Sequence, residues 1–303
     1  MKKVEALLNR SEEVAYRELQ KITSDNALKV FPKQRLSDVI QKGKAYLTQR
    51  EFDFYTRSHC DFVVTDAAYR PLMVVEYDGP LHQTDEKQQE RDAIKNDLCR
   101  RAELGMLRIN DNYVTKLYRG MTVLRWIIEV TELSKAFDQA QHEGQIPRDE
   151  SFDPAFIVSS GSNGRPYPYW LSAPATQSIH TFFKTFDPGI KKGWHGIIGN
   201  DKDGNARRLS CLYFEDQVLW STTGVRNQDL EFPDYDLLDQ LDTCELGIQL
   251  KKFRAGEISS GTKDAFRRVF DQFCERYKAH PSHSMGGFPF EIEWSLERGW
   301  NIG

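Results

Sequence analysis

A chain of 303 residues is long enough for two domains that each bury a core. Its composition, 39% hydrophobic, 28% charged and 12% aromatic, excludes a disordered or fibrous protein, and no apolar run approaches the ~18 residues of a membrane span. A formal net charge of −4 speaks against indiscriminate coating of nucleic acid, although residues 1–50 hold 11 Lys or Arg against 6 Asp or Glu. That excess fits a basic binding face or an ordinary solvated helix surface. The start, MKKVEALLNRSEE, turns acidic before a signal-peptide apolar region forms, so a cytoplasmic location is expected. The cysteines, Cys60, Cys99, Cys211, Cys244 and Cys274, are scattered and never form a CxxC pair, which predicts reduced, mostly buried thiols rather than a zinc site or a disulfide framework.

In chain order, Ser11 as a cap, acids in the first turn and Val14, Leu19 and Ile22 at helical spacing predict a helix over 11–22. ALKVFPKQRL reads as a short strand broken by Pro32, and 35–50 as a Lys-rich helix. Strands follow at 60–65 and 72–77. Next comes a helix opened by Thr84 and closed by Gly105, then a short strand at 106–109 and an apolar helix, TVLRWIIEVTELSKAF. The stretch 138–154, rich in Gly, Pro and charge, reads as a linker between a first domain at 1–137 and a second at 155–303.

The strands 60–65 and 72–77 carry acids inside apolar runs. Side chains alternate along a strand, so Glu76 and Asp78 share a face, and a symmetric hairpin places 65 opposite 72 and 61 opposite 76. Asp61, Glu76 and Asp78 then meet beside Gly79 and His82. Like charges facing one another on a sheet are costly unless neutralised. One remedy is pairing with Arg91 or Lys95, which lie four apart on the following helix; another is a bound cation. Three hard oxygen donors suit Mg2+ or Mn2+, which activate water and stabilise charge on phosphate. A cation on the helix would position that water or the phosphate.

The run of an acidic first-turn helix, DFVV, VVEYDGPLH, RDAIKND and LGMLRI resembles the PD-(D/E)XK, restriction-endonuclease-like superfamily, and within it a bacterial nuclease-like branch distantly related to very-short-patch repair endonucleases. The likeness covers about residues 5–112. It implies an α/β fold, a mixed sheet flanked by helices, and a divalent-metal phosphodiesterase site. Asp61 and Glu76 match the two metal-binding acids, while Asp78 stands where the superfamily motif has Lys, which makes Lys95 the candidate catalytic cation. Glu12 matches a helix acid that completes the metal shell. His82 matches the branch's histidine, for proton transfer or phosphate contact, and Arg91 and Arg108 are candidates for contact with nucleic acid, Arg108 also for bracing the acids.

The second half resembles no family and reads as an α+β domain that selects substrate, senses a signal or binds a partner. Strands are expected in WHGIIGN, RRLSCLYFED and QVLWSTTG, an amphipathic helix in TKDAFRRVFDQFCERYKAH, and a last strand in FPFEIEWSLERG. NDKDGNARR, with Arg207 and Arg208 interrupting any calcium pattern, reads as a hairpin turn; SSGSNGRPYPYW reads as an aromatic-anchored loop. QDLEFPDYDLLDQLDTCE reads as a solvated acidic face or protein contact. The expectation is a metal-dependent nuclease acting on nucleic acid, DNA before RNA, in phage defence, restriction or repair, with no membrane partner. The rival expectations are a catalytically silent nucleic-acid-binding or sensor protein and a partner-docking subunit of a helicase–nuclease system.

Overall fold

The first helix, α1 (Arg10–Asp25), is set by its cap. Asn9 accepts the Glu12 N–H at 2.9 Å and Glu12 Oε2 accepts the Asn9 N–H at 3.0 Å, so the cap is Asn9 rather than Ser11. Such a reciprocal box satisfies two helix-end donors, each worth about 1 kcal/mol. Ala15, Leu19 and Ile22 form its buried stripe. The computed structural model describes residues 5–79, 86–158, 166–281, 288–289, 292–293 and 301–302.

The chain divides into two compact units, Met1–Phe152 with Gln228–Phe232, and Asp153–Asn227 with Pro233–Gly303. In the first, strands β1 (Lys29–Arg35), β2 (His59–Thr65), β3 (Pro71–Tyr77) and β4 (Gly105–Ile109) form one sheet in that order. β1–β2 and β2–β3 are antiparallel and β3–β4 parallel. Pro32, which has no N–H to give, is tolerated because β1 is an edge strand. Helices α2 (Leu36–Val39) and α3 (Gln49–Arg57) join β1 to β2, so of the helix expected across 35–50 only the single turn of α2 forms, and α3 lies almost wholly beyond it. Between them Gly43 takes a φ of 55°, and Thr48 caps α3 with Glu51 in a second box.

α4 (Glu86–Arg101) crosses from β3 to the parallel β4, as a parallel pair requires. Its C-terminal left-handed residue is Glu103, φ 54°, and the Leu104 N–H closes the turn on the Cys99 carbonyl at 2.9 Å. Gly105, expected as the cap, instead begins β4, where a Cβ would lie 2.6 Å from Leu230. Thr84, expected to open α4, lies outside the described residues. Short α5 (Asp111–Thr115), the β5 (Leu117–Tyr118) and β6 (Met121–Thr122) hairpin and α6 (Val123–His142) complete the unit. α6 continues five residues into the stretch read as linker.

Consecutive residues of β2 face opposite ways, and helices cover both sides. Phe62 stacks on Tyr16 of α1 at 6.0 Å, while Val63 and Val74 pack with Leu36, Tyr55 and Leu98 from α2, α3 and α4. Burying a side chain of this size contributes roughly 1.5–3 kcal/mol.

The second unit holds a five-stranded sheet whose centre is the meander β7 (Lys192–Asn200), β8 (Ala206–Phe214), β9 (Gln217–Val225), edged by β10 (Gly261–Thr262) and β11 (Lys278–Pro281). NDKDGNARR is the β7–β8 turn, where Asp201 accepts the N–H groups of Asp203 and Asn205. Leu212 and Phe214 pack with α7 (Ala173–Phe183) and α8 (Asp234–Arg254); Leu209 and Cys211 pack with α9 (Lys263–Arg276). The acidic run at 228–245 is therefore not a solvated face over its helical part: Leu237, Leu238 and Leu241 are buried. SSGSNGR and most of FPFEIEWSLERG lie outside the described residues. The whole is α/β in class with two units, and no helix among the described residues is long and apolar enough to cross a membrane.

A candidate active site in the first unit

At the ends of β2 and β3 the sheet opens into a cleft of about 440 Å3 lined by Glu12, Asp61, Glu76, Asp78, Gln88, Asp92, Lys95 and Arg108 among others. The β2–β3 register pairs Phe62 with Val75, which carries Asp61 to Glu76 as the hairpin symmetry predicts. A bulge between Val64 and Thr65 places Thr65 opposite Pro71, so the expected pairing of 65 with 72 slips at the turn end only. The two acids are oriented by the backbone. The Asp61 N–H donates to Glu76 Oε1 at 3.3 Å, and the Tyr77 N–H donates to Asp61 Oδ2 at 3.0 Å.

Each acid also meets a side-chain cation. Glu76, 6% exposed, pairs through Oε2 with Lys95 Nζ at 2.7 Å, and the same ammonium donates to the His59 carbonyl at 2.8 Å. Burial raises the proton affinity of Glu76, the Lys95 charge opposes that rise, and Asp61 adds to it. Arg108, 5% exposed, reaches Asp78 at 3.1 Å, Asn96 at 2.8 Å and Asp92 at 3.3 Å. Its guanidinium is thus spent bracing acids, one of the two roles open to it.

Sequence reasoning missed Lys33. In β1 it sits where the register places Asp61 opposite, and its ammonium lies 2.7 Å from Asp61 Oδ1 and 2.8 Å from Glu12 Oε1. Its φ of 54° is left-handed, a cost of roughly 1–2 kcal/mol for a residue with a Cβ. Burial lowers its pKa, but hydrogen bonds from the ammonium to Asp61 and Glu12 outweigh that and leave it raised. Nothing local in KVFPKQR singles it out, since other basic and polar residues surround it there. Glu12 uses both oxygens, Oε2 for the α1 cap and Oε1 for Lys33.

The structure therefore brings together Glu12, Asp61, Glu76, Asp78, Lys95 and Arg108; Arg91 lines the neighbouring cavity instead, and His82 lies outside the described residues. The nearby thiols are not nucleophiles, since burial pushes Cys60 far up and Cys99 up to about 12. Among the described residues no group of three or more His, Cys, Asp or Glu stands arranged to hold a metal ion. The donors nonetheless suit a hard cation in kind, and the Lys33 ammonium is a stand-in positive charge shared by Glu12 and Asp61.

Fold and cleft together define an α/β unit with a carboxylate–lysine site at the mouth of a mixed sheet. Residues 4–122, which include every residue of that site, match the model of a family described as a protein of unknown function (DUF2726). Comparison with curated proteins and with solved structures returns no match.

Proposed function

We propose that the first unit is a divalent-metal-dependent nuclease that hydrolyses phosphodiester bonds, in DNA before RNA, inside the cytoplasm. The observation that carries this reading is the adjacency of Asp61 and Glu76 on neighbouring strands, with a buried Lys95 on one and Glu12 beside the other. Five carboxylates, Glu12, Asp61, Glu76, Asp78 and Asp92, meet three cations, Lys33, Lys95 and Arg108. This excess of negative charge repels a bare phosphate, which is a physical reason for a metal. Glu12, Asp61 and Glu76 are the residues that would hold Mg2+ or Mn2+, which when bound acidifies water and stabilises charge on the phosphate.

The chain's own part is positioning. Lys95 uses two of its three N–H donors on Glu76 and the His59 carbonyl, and offers the third to the attacking water or a phosphate oxygen. The water oxygen bonds to phosphorus, the ester P–O bond breaks, and the leaving oxygen is protonated from solvent. The proton that the water loses passes to solvent, while Glu76, engaged with the Asp61 N–H and Lys95, is kept for holding the metal. Arg108 holds Asp78 and Asp92 in place on the wall of the cleft.

Conversion of supercoiled plasmid to nicked or linear form tests this, with Mn2+ or Mg2+ against EDTA, and Glu76→Gln as the inactive control. Cleavage only by the wild-type chain with metal supports the reading. No cleavage of plasmid, single-stranded DNA or RNA overturns it. A second reading has its own observation: Lys33, Lys95 and Arg108 already neutralise the acids in pairs, as in a metal-free nucleic-acid-binding unit. It predicts binding indifferent to EDTA and to Glu76→Gln.

A further inference from the structure

We infer that the cavity beside the carboxylate cleft is a seat for a single-stranded stretch of nucleic acid, its phosphates held by Arg50, Arg57 and Arg91 and a base laid on Phe54. This rests on the nuclease reading of the cleft. The cavity, about 510 Å3, shares Gln88, Asp92 and Lys95 with the cleft, so a strand with a phosphate at Lys95 continues into it without a break.

Its wall is one face of α3. Arg50, Phe54 and Arg57 are spaced i, i+4, i+7, and α4 supplies Arg91 and Ile94 opposite. Arg50 pairs with Glu90, whereas Arg57 and Arg91 have no carboxylate partner among the described residues. Both are exposed, and an unpaired guanidinium at a concave surface is a ready phosphate contact. Ser58 lines the same cavity, and its hydroxyl, closed off from solvent, has no hydrogen-bond partner among the described residues.

The floor decides the class of ligand. Phe54 and Ile94 are half-buried and apolar, resting on the core beneath, and the part of a nucleic acid suited to such a surface is the face of an unstacked base. Stacking of a base on an aromatic ring is worth ~1–3 kcal/mol and tolerates any sequence.

The test is fluorescence anisotropy in EDTA with full-length Glu76→Gln protein and labelled 12-nucleotide single-stranded DNA, single-stranded RNA and duplex DNA. The expected result is tighter binding of single strands than of duplex. Changing Arg50, Arg57 and Arg91 together to Gln should weaken single-strand binding at least tenfold and reduce the salt slope by about 2, from three phosphates at ~0.7 each. Phe54→Leu keeps the core contact and should weaken single strands by about 5-fold or more while sparing duplex. Lys135→Gln, on α6, is the charge control, and circular dichroism verifies folding of each variant. Single-strand binding untouched by the Arg triple, or equal effects of Phe54→Leu on duplex and single strand, overturns the inference. If the Arg and Phe54 effects hold while the unmutated chain cuts nothing with metal, the groove stands and the nuclease reading falls; if that chain cuts but the Arg triple in it binds and cuts unchanged, the groove falls alone.

Discussion

Glu76 and Lys95 are tolerable in the interior only because each has the other. Their side chains are 9% and 10% exposed, and the ammonium and carboxylate lie 2.7 Å apart. Removing one member of such a pair leaves an uncompensated buried charge, at about 3–5 kcal/mol, whereas removing both costs far less. Lys95→Met is therefore expected to unfold at markedly lower urea than the wild type, and Glu76→Gln/Lys95→Met to recover most of that loss. Additive losses in the double variant would show that the two do not act as a pair. Both single variants should lose at least ~100-fold in plasmid cleavage. Lys33 is different, being partly exposed and bound to two acids. Its raised pKa contributes stability that is complete below the unfolded value and lost only as pH rises through the higher folded one, so it stays charged at neutral pH. If Glu12 and Asp61 hold a divalent ion as proposed, the Lys33 ammonium they share is its competitor. Lys33→Gln is expected to bind Mn2+ about tenfold more tightly by titration calorimetry, ~1.4 kcal/mol; unchanged or weaker affinity would mean that the ammonium is no competitor. Asp61 and Glu76 were legible in the sequence because an acid inside an apolar strand is anomalous. Lys33 was not, because its position opposite Asp61 depends on a pairing that no local pattern declares.

At the scale of elements, legibility followed how far local chemistry agreed with burial. β2, β3 and β4 were readable from apolar runs, and α6 from its Trp126, Ile127 and Ile128 core. α3 was missed because QREFDFYTR has little apolar content; its helix is made by the Thr48–Glu51 cap and by Tyr55 reaching the Ile40 carbonyl at 2.7 Å. α8 was misread because Asp residues recur between its buried leucines, and one of them, Asp242, is itself only 1% exposed. Asp242 lies 3.1 Å from Arg208 Nε of β8 and accepts from Ser221 of β9, yet burial pushes it up to about 6 against the pull of Arg208. A carboxyl whose folded pKa exceeds its unfolded one binds protons more readily when folded. Its contribution to stability is greatest below about pH 4 and is lost as pH rises toward 6. The second unit should therefore gain stability on going from pH 7 to pH 5 relative to Asp242→Asn, by no more than about 3 kcal/mol. Thermal unfolding of both proteins at the two pH values reads this out, and a difference independent of pH would sink it.

At the scale of the molecule, the chain returns to the first unit after most of the second unit's sheet has been made. Gln228–Phe232 belongs to the first unit, where Asp229 bridges Met106 and its carboxylate meets Arg100 at 3.0 Å. Gln228 accepts the Arg108 N–H at 2.7 Å and donates to the Arg108 carbonyl at 3.1 Å, while Leu230 lies over Gly105. β4 is the last strand of its sheet, so these contacts occupy an edge that would otherwise be bare, and they fix the strand that carries the brace of the acidic cleft. No sequence pattern announces such a contact, since its partners are more than a hundred positions apart in the chain. A chain ending at Phe152 contains every side chain lining the cleft but not this clamp. It is expected to show faster amide exchange across β4 than the full chain, with reduced cleavage because Arg108 loses its anchor. Gln228→Ala in the full chain isolates the effect: leaving the Arg108 N–H unpaired should cost about 1–3 kcal/mol, seen as lost protection at Arg108 and its β4 neighbours. Equal protection in all three proteins would show that β4 holds itself, and that the first unit is closed without the returning segment.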